Sequence, residues 1–302
     1  LEPGAGSSFV VPKFSYRDAL ILVPNGGTSS VAYATDGTQE GTRPFPDDVP
    51  LVVDAIVFRD EIWTVRRGQD SAALWATDGT SEGSRLVATI DETDEGYASL
   101  SPYFGEFRVV GDRLFWLSWQ FGGGSRKMRL WSLGGADADS AANPLGPVFN
   151  RIESVTVWGN EVVFLAALSG PSWGEPRVLW RSDGTEAGTQ PLGAIRADNR
   201  SSLQADDLMA WGDRVYFFAD ASDDNTGAQR RLYRSDGTLA GTEPVPAFEF
   251  VGAPRTQLDA AAPLVAAKEF FYVRTRTDIW RSDGTYRGLE QVLYLEASLA
   301  PP

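Results

Sequence analysis

One eleven-residue stretch constrains this chain more than anything else in it. Leu179 to Thr189 reads LWRSDGTEAGT, and it recurs. Val31 to Thr42 reads VAYATDGTQEGT, Ala73 to Ser84 ALWATDGTSEGS, Arg231 to Thr242 RLYRSDGTLAGT and Asp278 to Leu289 DIWRSDGTYRGL. A sixth copy, Arg129 to Gly135 (RLWSLGG), has lost the Asp. The aromatic anchors Tyr33, Trp75, Trp131, Trp180, Tyr233 and Trp280 fall 42 to 56 residues apart. A period of that length is the mark of a repeat architecture, in which one supersecondary unit is stacked many times.

A second marker precedes each anchor. Val110-Gly111-Asp112-Arg113, Trp158-Gly159-Asn160-Glu161 and Trp211-Gly212-Asp213-Arg214 join apolar runs, with weaker copies at Tyr16 to Ala19, Phe58 to Glu61 and Ala267 to Phe270. Gly-Asp and Gly-Asn between β-rich runs suit two-residue hairpin turns, which need positive φ. Each unit therefore reads as strand a, tight turn, strand b, variable segment, strand c, Asp-Gly-Thr turn, strand d. Four antiparallel strands in about 50 residues make one propeller blade. The chain is expected to be all-β, a six-bladed β-propeller. The blades should cover about 9–48, 49–90, 104–145, 150–194, 202–247 and 261–296, in a single domain 9–302 behind a flexible leader, 1–8.

The motif Leu-Trp-x-Ser/Thr-Asp-Gly-Thr-x-x-Gly-Thr resembles the ELWxxDGT repeat of large bacterial exported proteins. The likeness runs from Val31 to Leu289, although Ala, Arg or Val stands before Leu-Trp where that family has Glu. The resemblance implies a bacterial protein that is secreted or held at the cell surface, its signal peptide removed.

Composition narrows the chemistry. The net charge is −14 over 302 residues, which argues against a nucleic-acid binder, since that needs a basic face. No apolar run reaches the roughly 20 residues that span a bilayer, so no membrane insertion is expected. Without His or Cys there is no Ser-His or Cys-His nucleophile, no disulfide, and little from which to build a zinc site.

The Asp-Gly-Thr turns are read as structural. Asp36, Asp78, Asp183, Asp236 and Asp283 should each accept backbone N–H bonds in an Asx-turn, with Gly at positive φ. One carboxylate per turn falls short of the six to eight oxygens calcium takes. In a four-stranded meander the a–b and c–d turns share one end, and the irregular b–c and d–a segments share the other. Irregular segments on a rigid scaffold usually carry binding. The candidate ligand-binding residues are therefore Trp119, Phe121 and Arg126 in the third b–c segment and Trp173 and Glu175 in the fourth. Tyr97 and Arg255 join them from the d–a segments. Exposed aromatics beside polar groups suit sugar stacking or peptide capture. Asp220, Asp223, Asp224 and Asn225 of the fifth b–c segment are the candidate ligands for one calcium ion. No other cofactor is expected.

These observations favour a non-catalytic binding, adhesion or assembly module for a glycan, a protein or another copy of itself. The first alternative is a sialidase-like glycoside hydrolase, with two carboxylates facing a channel mouth. Sialidase turns read Ser-x-Asp-x-Gly-x-Thr-Trp, whereas Ser182-Asp183-Gly184-Thr185 are contiguous here. The second alternative is a subunit of an extracellular filament or surface assembly.

Overall fold

The structure is a computed structural model. It describes residues 10–24, 32–46, 55–67, 72–90, 103–122, 125–134, 142–168, 178–194, 208–223, 227–238, 240–245, 264–274, 278–285 and 288–294. They form six four-stranded antiparallel sheets, each in simple sequential order. The fold class is that of a six-bladed β-propeller. Blade one holds β1 (Val10–Tyr16), β2 (Ala19–Pro24), β3 (Tyr33–Thr35) and β4 (Arg43–Pro44); blade two holds β5 (Ala55–Phe58), β6 (Glu61–Arg67), β7 (Ala72–Thr77) and β8 (Arg85–Ile90). Blade three holds β9 (Tyr103–Val110), β10 (Arg113–Gly122), β11 (Ser125–Gly134) and β12 (Asn143–Phe149). Blade four holds β13 (Arg151–Trp158), β14 (Glu161–Ala167), β15 (Val178–Ser182) and β16 (Gln190–Ala194). Blade five holds β17 (Met209–Trp211), β18 (Arg214–Asp223), β19 (Gly227–Ser235) and β20 (Glu243–Pro244); blade six holds β21 (Val265–Ala267), β22 (Phe270–Arg274), β23 (Asp278–Ser282) and β24 (Glu290–Tyr294). The chain divides into two compact units, 1–145 and 146–302, with the division inside β12.

The b strands explain why the sequence shows apolar runs and not alternation. Leu114 to Ser118 of β10 are all 1% exposed or less, and Val162 to Ala167 of β14 are all buried. Such a strand has both faces covered, so its side chains, Ser118 excepted, are selected to be apolar. In the first unit, Phe58, Trp63, Val65 and Leu74 of blade two pack with Leu114, Trp116 and Trp131 of blade three. In the second, Val163, Leu165 and Leu179 of blade four pack with Val215 and Phe217 of blade five, and Tyr216, Phe218 and Leu232 pack with Phe271 and Val273 of blade six.

The Asp-Gly-Thr turns of blades one, two, four and five are closed hydrogen-bond circuits. In blade four, Asp183 Oδ1 accepts from Thr185 N at 2.8 Å and from Thr185 Oγ1 at 2.7 Å. Thr185 Oγ1 in turn accepts from Gly188 N at 2.9 Å. Thr189 Oγ1 donates its one proton to Thr185 O at 2.7 Å. The 2.7 Å contact between Ser182 Oγ and Thr189 Oγ1 must therefore use the serine proton. That leaves Ser182 Oγ to accept from Gly184 N at 3.1 Å. The same circuit recurs around Asp36, Asp78 and Asp236. Around Asp283 the closing hydroxyl is replaced by Leu289, and the rest is kept.

The two glycines of the turn serve different ends. Gly184 has φ +87°, open to glycine without cost. Gly188 is not in the left-handed region. It is glycine for want of space: a Cβ there would lie 2.1 Å from Asp183 Oδ1. The carboxylate is folded down onto the glycine, and the same holds at Gly41, Gly83, Gly241 and Gly288.

The anchor aromatics stack on the neighbouring b strand. Trp131 lies over Trp116 with centroids 6.3 Å apart and 8° between planes, and Trp180 over Phe164 at 6.2 Å and 19°. Trp131 Nε1 donates to Ser118 Oγ at 2.8 Å. In blade four the register puts Ala166 where blade three has Ser118, two residues past the stacked ring. Trp180 Nε1 is accordingly buried without an acceptor among the described residues. Ala166→Ser is expected to supply it and to stabilise the chain by about 1 kcal/mol, the usual net value of such a bond. Chemical denaturation measures this; a lower midpoint would show that the added hydroxyl does not reach the indole.

Candidate functional site

The b and c strands of blades three and five reach further toward each other than the sequence suggests. Pairing of β10 with β11 continues to Gly122↔Ser125, leaving only 123–124 between the strands. Trp119, Phe121 and Arg126, expected in a loop, are therefore strand residues. Trp119 is half-buried, opposite Met128 and Tyr103. The glycine run reads locally as a loop, but the residues on either side of 123–124 pair in unbroken register up to Gly122↔Ser125. In the same way β18 and β19 pair without a shift from Val215↔Ser235 to Asp223↔Gly227, so Asp220 and Asp223 also belong to a strand. Asp224, Asn225, Tyr97, Trp173, Glu175 and Arg255 lie outside the described residues. Among the described residues no three acidic side chains group as a metal site would require.

A cleft is found at the other end of the strands, in the second unit, where the turns of blades five and six meet. It encloses about 430 Å³. Blade five contributes Trp211 from the end of β17, the Gly212-Asp213 turn, Arg214 and Tyr216 from β18, and Arg234 from β19; blade six contributes Lys268 from the β21–β22 turn and Asp283 to Thr285 from the β23–β24 turn.

The walls are held from both sides of the seam. Trp211 Nε1 donates to Ala267 O at 3.3 Å, tying blade five to the first turn of blade six. Arg234 donates through Nη1 to Gly284 O at 2.9 Å, tying it to the second. The same guanidinium holds Glu243 Oε1 through Nε at 3.0 Å and Nη2 at 2.7 Å. Gly284 has φ +78°, and a Cβ on it would lie 2.9 Å from Tyr216 Oη and 3.3 Å from Trp211 Cζ3. Glycine at this point thus lets two aromatic side chains of the adjacent blade come up against the turn.

Tyr216 stands at a register that three other blades fill with a wholly apolar residue. The b-strand residue that pairs with the one just before the Ser or Thr of each turn is Ile21, Trp63, Phe115, Val163, Tyr216 or Tyr272. Tyr216 is only 3% exposed, its ring set against Trp211 at 5.8 Å and Phe271 at 4.7 Å. Its hydroxyl lines the cleft and bonds to no described residue. Burial pushes the phenol above its usual range, while Arg234 and Arg214 pull the other way, so Oη keeps its proton at neutral pH. Lys268 is exposed, and Arg214 lies 4.0 Å from Asp213, a loose pair. Sequence reasoning took Trp211 to Arg214, Lys268 and Asp283 as turn residues of the repeat and assigned none of them to a site. The usable signal was a Tyr in a b-strand register held elsewhere in the chain mostly by wholly apolar residues.

No family model matches the chain, and no characterised protein matches it by sequence. Among solved structures it is similar to the β-propeller domain of the trilobed protease from Pyrococcus furiosus, at 11% identity over 94% of this chain and 84% of that one, with a TM-score of 0.47. It is similar to the Neurospora crassa Pan2 WD40 domain, at 12% identity over 95% and 78%, with a TM-score of 0.45. Pyrococcus horikoshii acylaminoacyl peptidase aligns at 11% identity over 94% of this chain, with a TM-score of 0.46; the chain covers 46% of that protein's length.

Proposed function

We propose that this chain is a non-catalytic binding module, secreted or displayed at a cell surface, which holds a glycan or protein ligand on a rigid propeller scaffold. The observation that carries the reading is the blade five–six cleft, where the repeated turn residues Trp211, Asp213 and Gly284 are joined by Tyr216 and Lys268. A volume of about 430 Å³ lies within the range of roughly 300–1,000 Å³ usual for ligand sites. The turns beside it are braced by internal bonds, so a ligand meets groups already in place, and preorganisation of that kind lowers the cost of binding. This reading puts the working surface at the turn end of the blades rather than at the end with the irregular segments.

The test presents the immobilised chain with a glycan array and, separately, with soluble copies of itself. Saturable capture of either is the expected result. Release of new reducing ends from an oligosaccharide, with no capture on the surface, would overturn the reading in favour of a hydrolase.

A further inference from the structure

We infer that the cleft between blades five and six recognises one neutral saccharide unit, with Tyr216 Oη, Lys268 and Asp213 as its polar contacts and Trp211 as its apolar wall. The inference rests on the reading of the chain as a binding module and assigns that module its ligand class.

Charge decides the class. The lining carries Arg214, Arg234 and Lys268 against Asp213 and Asp283. Arg234 is already committed to Glu243 and to Gly284 O. What remains is a near-balanced set of donors and acceptors. An anionic ligand would meet Asp213 and Asp283, and a cationic one would meet Arg214 and Lys268. A polyol needs both signs, since each of its hydroxyls donates once and accepts.

The second point is Tyr216 itself. A nearly buried hydroxyl without a partner costs stability, and the apolar residues at its register in blades one, three and four avoid that cost. Here the hydroxyl opens into the cleft, where a ligand can satisfy it. Trp211, half-buried at the rim, has the large amphipathic surface on which the C–H face of a sugar ring packs.

The experiment uses the full chain on an array of neutral, sialylated and sulfated glycans, followed by calorimetric titration with the best binder. A neutral glycan should rank first. Tyr216→Phe should weaken it about tenfold, the value of one hydrogen bond to a buried group, without lowering the melting temperature, because Oη has no partner among the described residues to lose. Lys268→Ala, at an exposed turn, should weaken binding in the same direction. A glycan that binds wild type and both variants alike would overturn the assignment of this cleft and leave the binding-module reading standing. A first rank for sialylated or sulfated glycans would overturn the neutral class. Capture of no glycan, with self-capture retained, would overturn the inference while the module reading survives as protein recognition.

Discussion

Replacing Gly188 by alanine is expected to cost about 2–3 kcal/mol, yet the same replacement in an Asp183→Ala background should cost almost nothing more than Asp183→Ala alone. The added Cβ would stand 2.1 Å from Asp183 Oδ1 and 2.2 Å from Cγ, far inside contact distance. The carboxylate has to swing away and give up both bonds from Thr185. Loss of a local side-chain cap of this kind costs about 1 kcal/mol, and forcing an extra methyl into an occupied space adds about 1–2 kcal/mol more. With Asp183 already truncated, the obstacle and the bonds are both gone. The double-mutant cycle should therefore show strong non-additivity, as for residues that share one contact. Gly159 is the control: φ is +61° and nothing lies within 4 Å of its would-be Cβ. Gly159→Ala should cost only the left-handed backbone, roughly 1 kcal/mol, with no dependence on Asp183. Denaturation midpoints measure all of these. Additive costs at 183 and 188 would show that the carboxylate does not rest on Gly188.

The blades were legible because they repeat. Six copies of one pattern let a weak turn signal, such as Arg17-Asp18 or Arg59-Asp60, be read from the stronger Gly-Asp copies. The role of the second glycine was not legible. In Asp183-Gly-Thr-Glu-Ala-Gly188, both glycines look like positions of positive φ, and only coordinates show that the second is a matter of space. The hydroxyls flanking the turn, Ser182 and Thr189, were visible as part of the motif, but their circuit depends on geometry across the hairpin. The site was the least legible part. Gly122 and Asp223 read as loop residues, because composition is local while strand pairing is not. The cleft depends on the contact between adjacent blades, with Trp211 and Tyr216 on one and Gly284 and Lys268 on the next. Residues more than 50 positions apart carry no mutual signal in a single sequence.

Acid should loosen the turns together. The carboxyls of Asp36, Asp78, Asp236 and Asp283 are each held below their ordinary value of 3.8. The largest cause at Asp78, Asp236 and Asp283 is the hydroxyl of the Thr two residues on; at Asp36 it is the backbone N–H of Thr38. A folded-state pKa that is depressed stabilises the fold above the unfolded value, and this contribution is lost as pH falls through the folded value. The window accordingly opens near pH 4 and extends downward, and within it the unfolded chain binds more protons than the folded one. The bulk charge also changes there: as the 41 acidic residues are neutralised, the 27 Lys and Arg are left unopposed and repel one another. That background is nearly common to wild type and to a variant carrying Asn at all four positions. The Asn amide oxygen can still accept both bonds from Thr but has no proton to gain. Below about pH 4, the melting temperature of wild type should therefore fall more steeply with acid than that of the fourfold Asn variant, and the two slopes should converge near neutral pH. Equal slopes in acid would mean that the turn carboxylates titrate alike in the folded and unfolded chains. The bonds from Thr would then add nothing that depends on the charge, and the turns would owe their shape to glycine and to the buried serine and threonine hydroxyls alone.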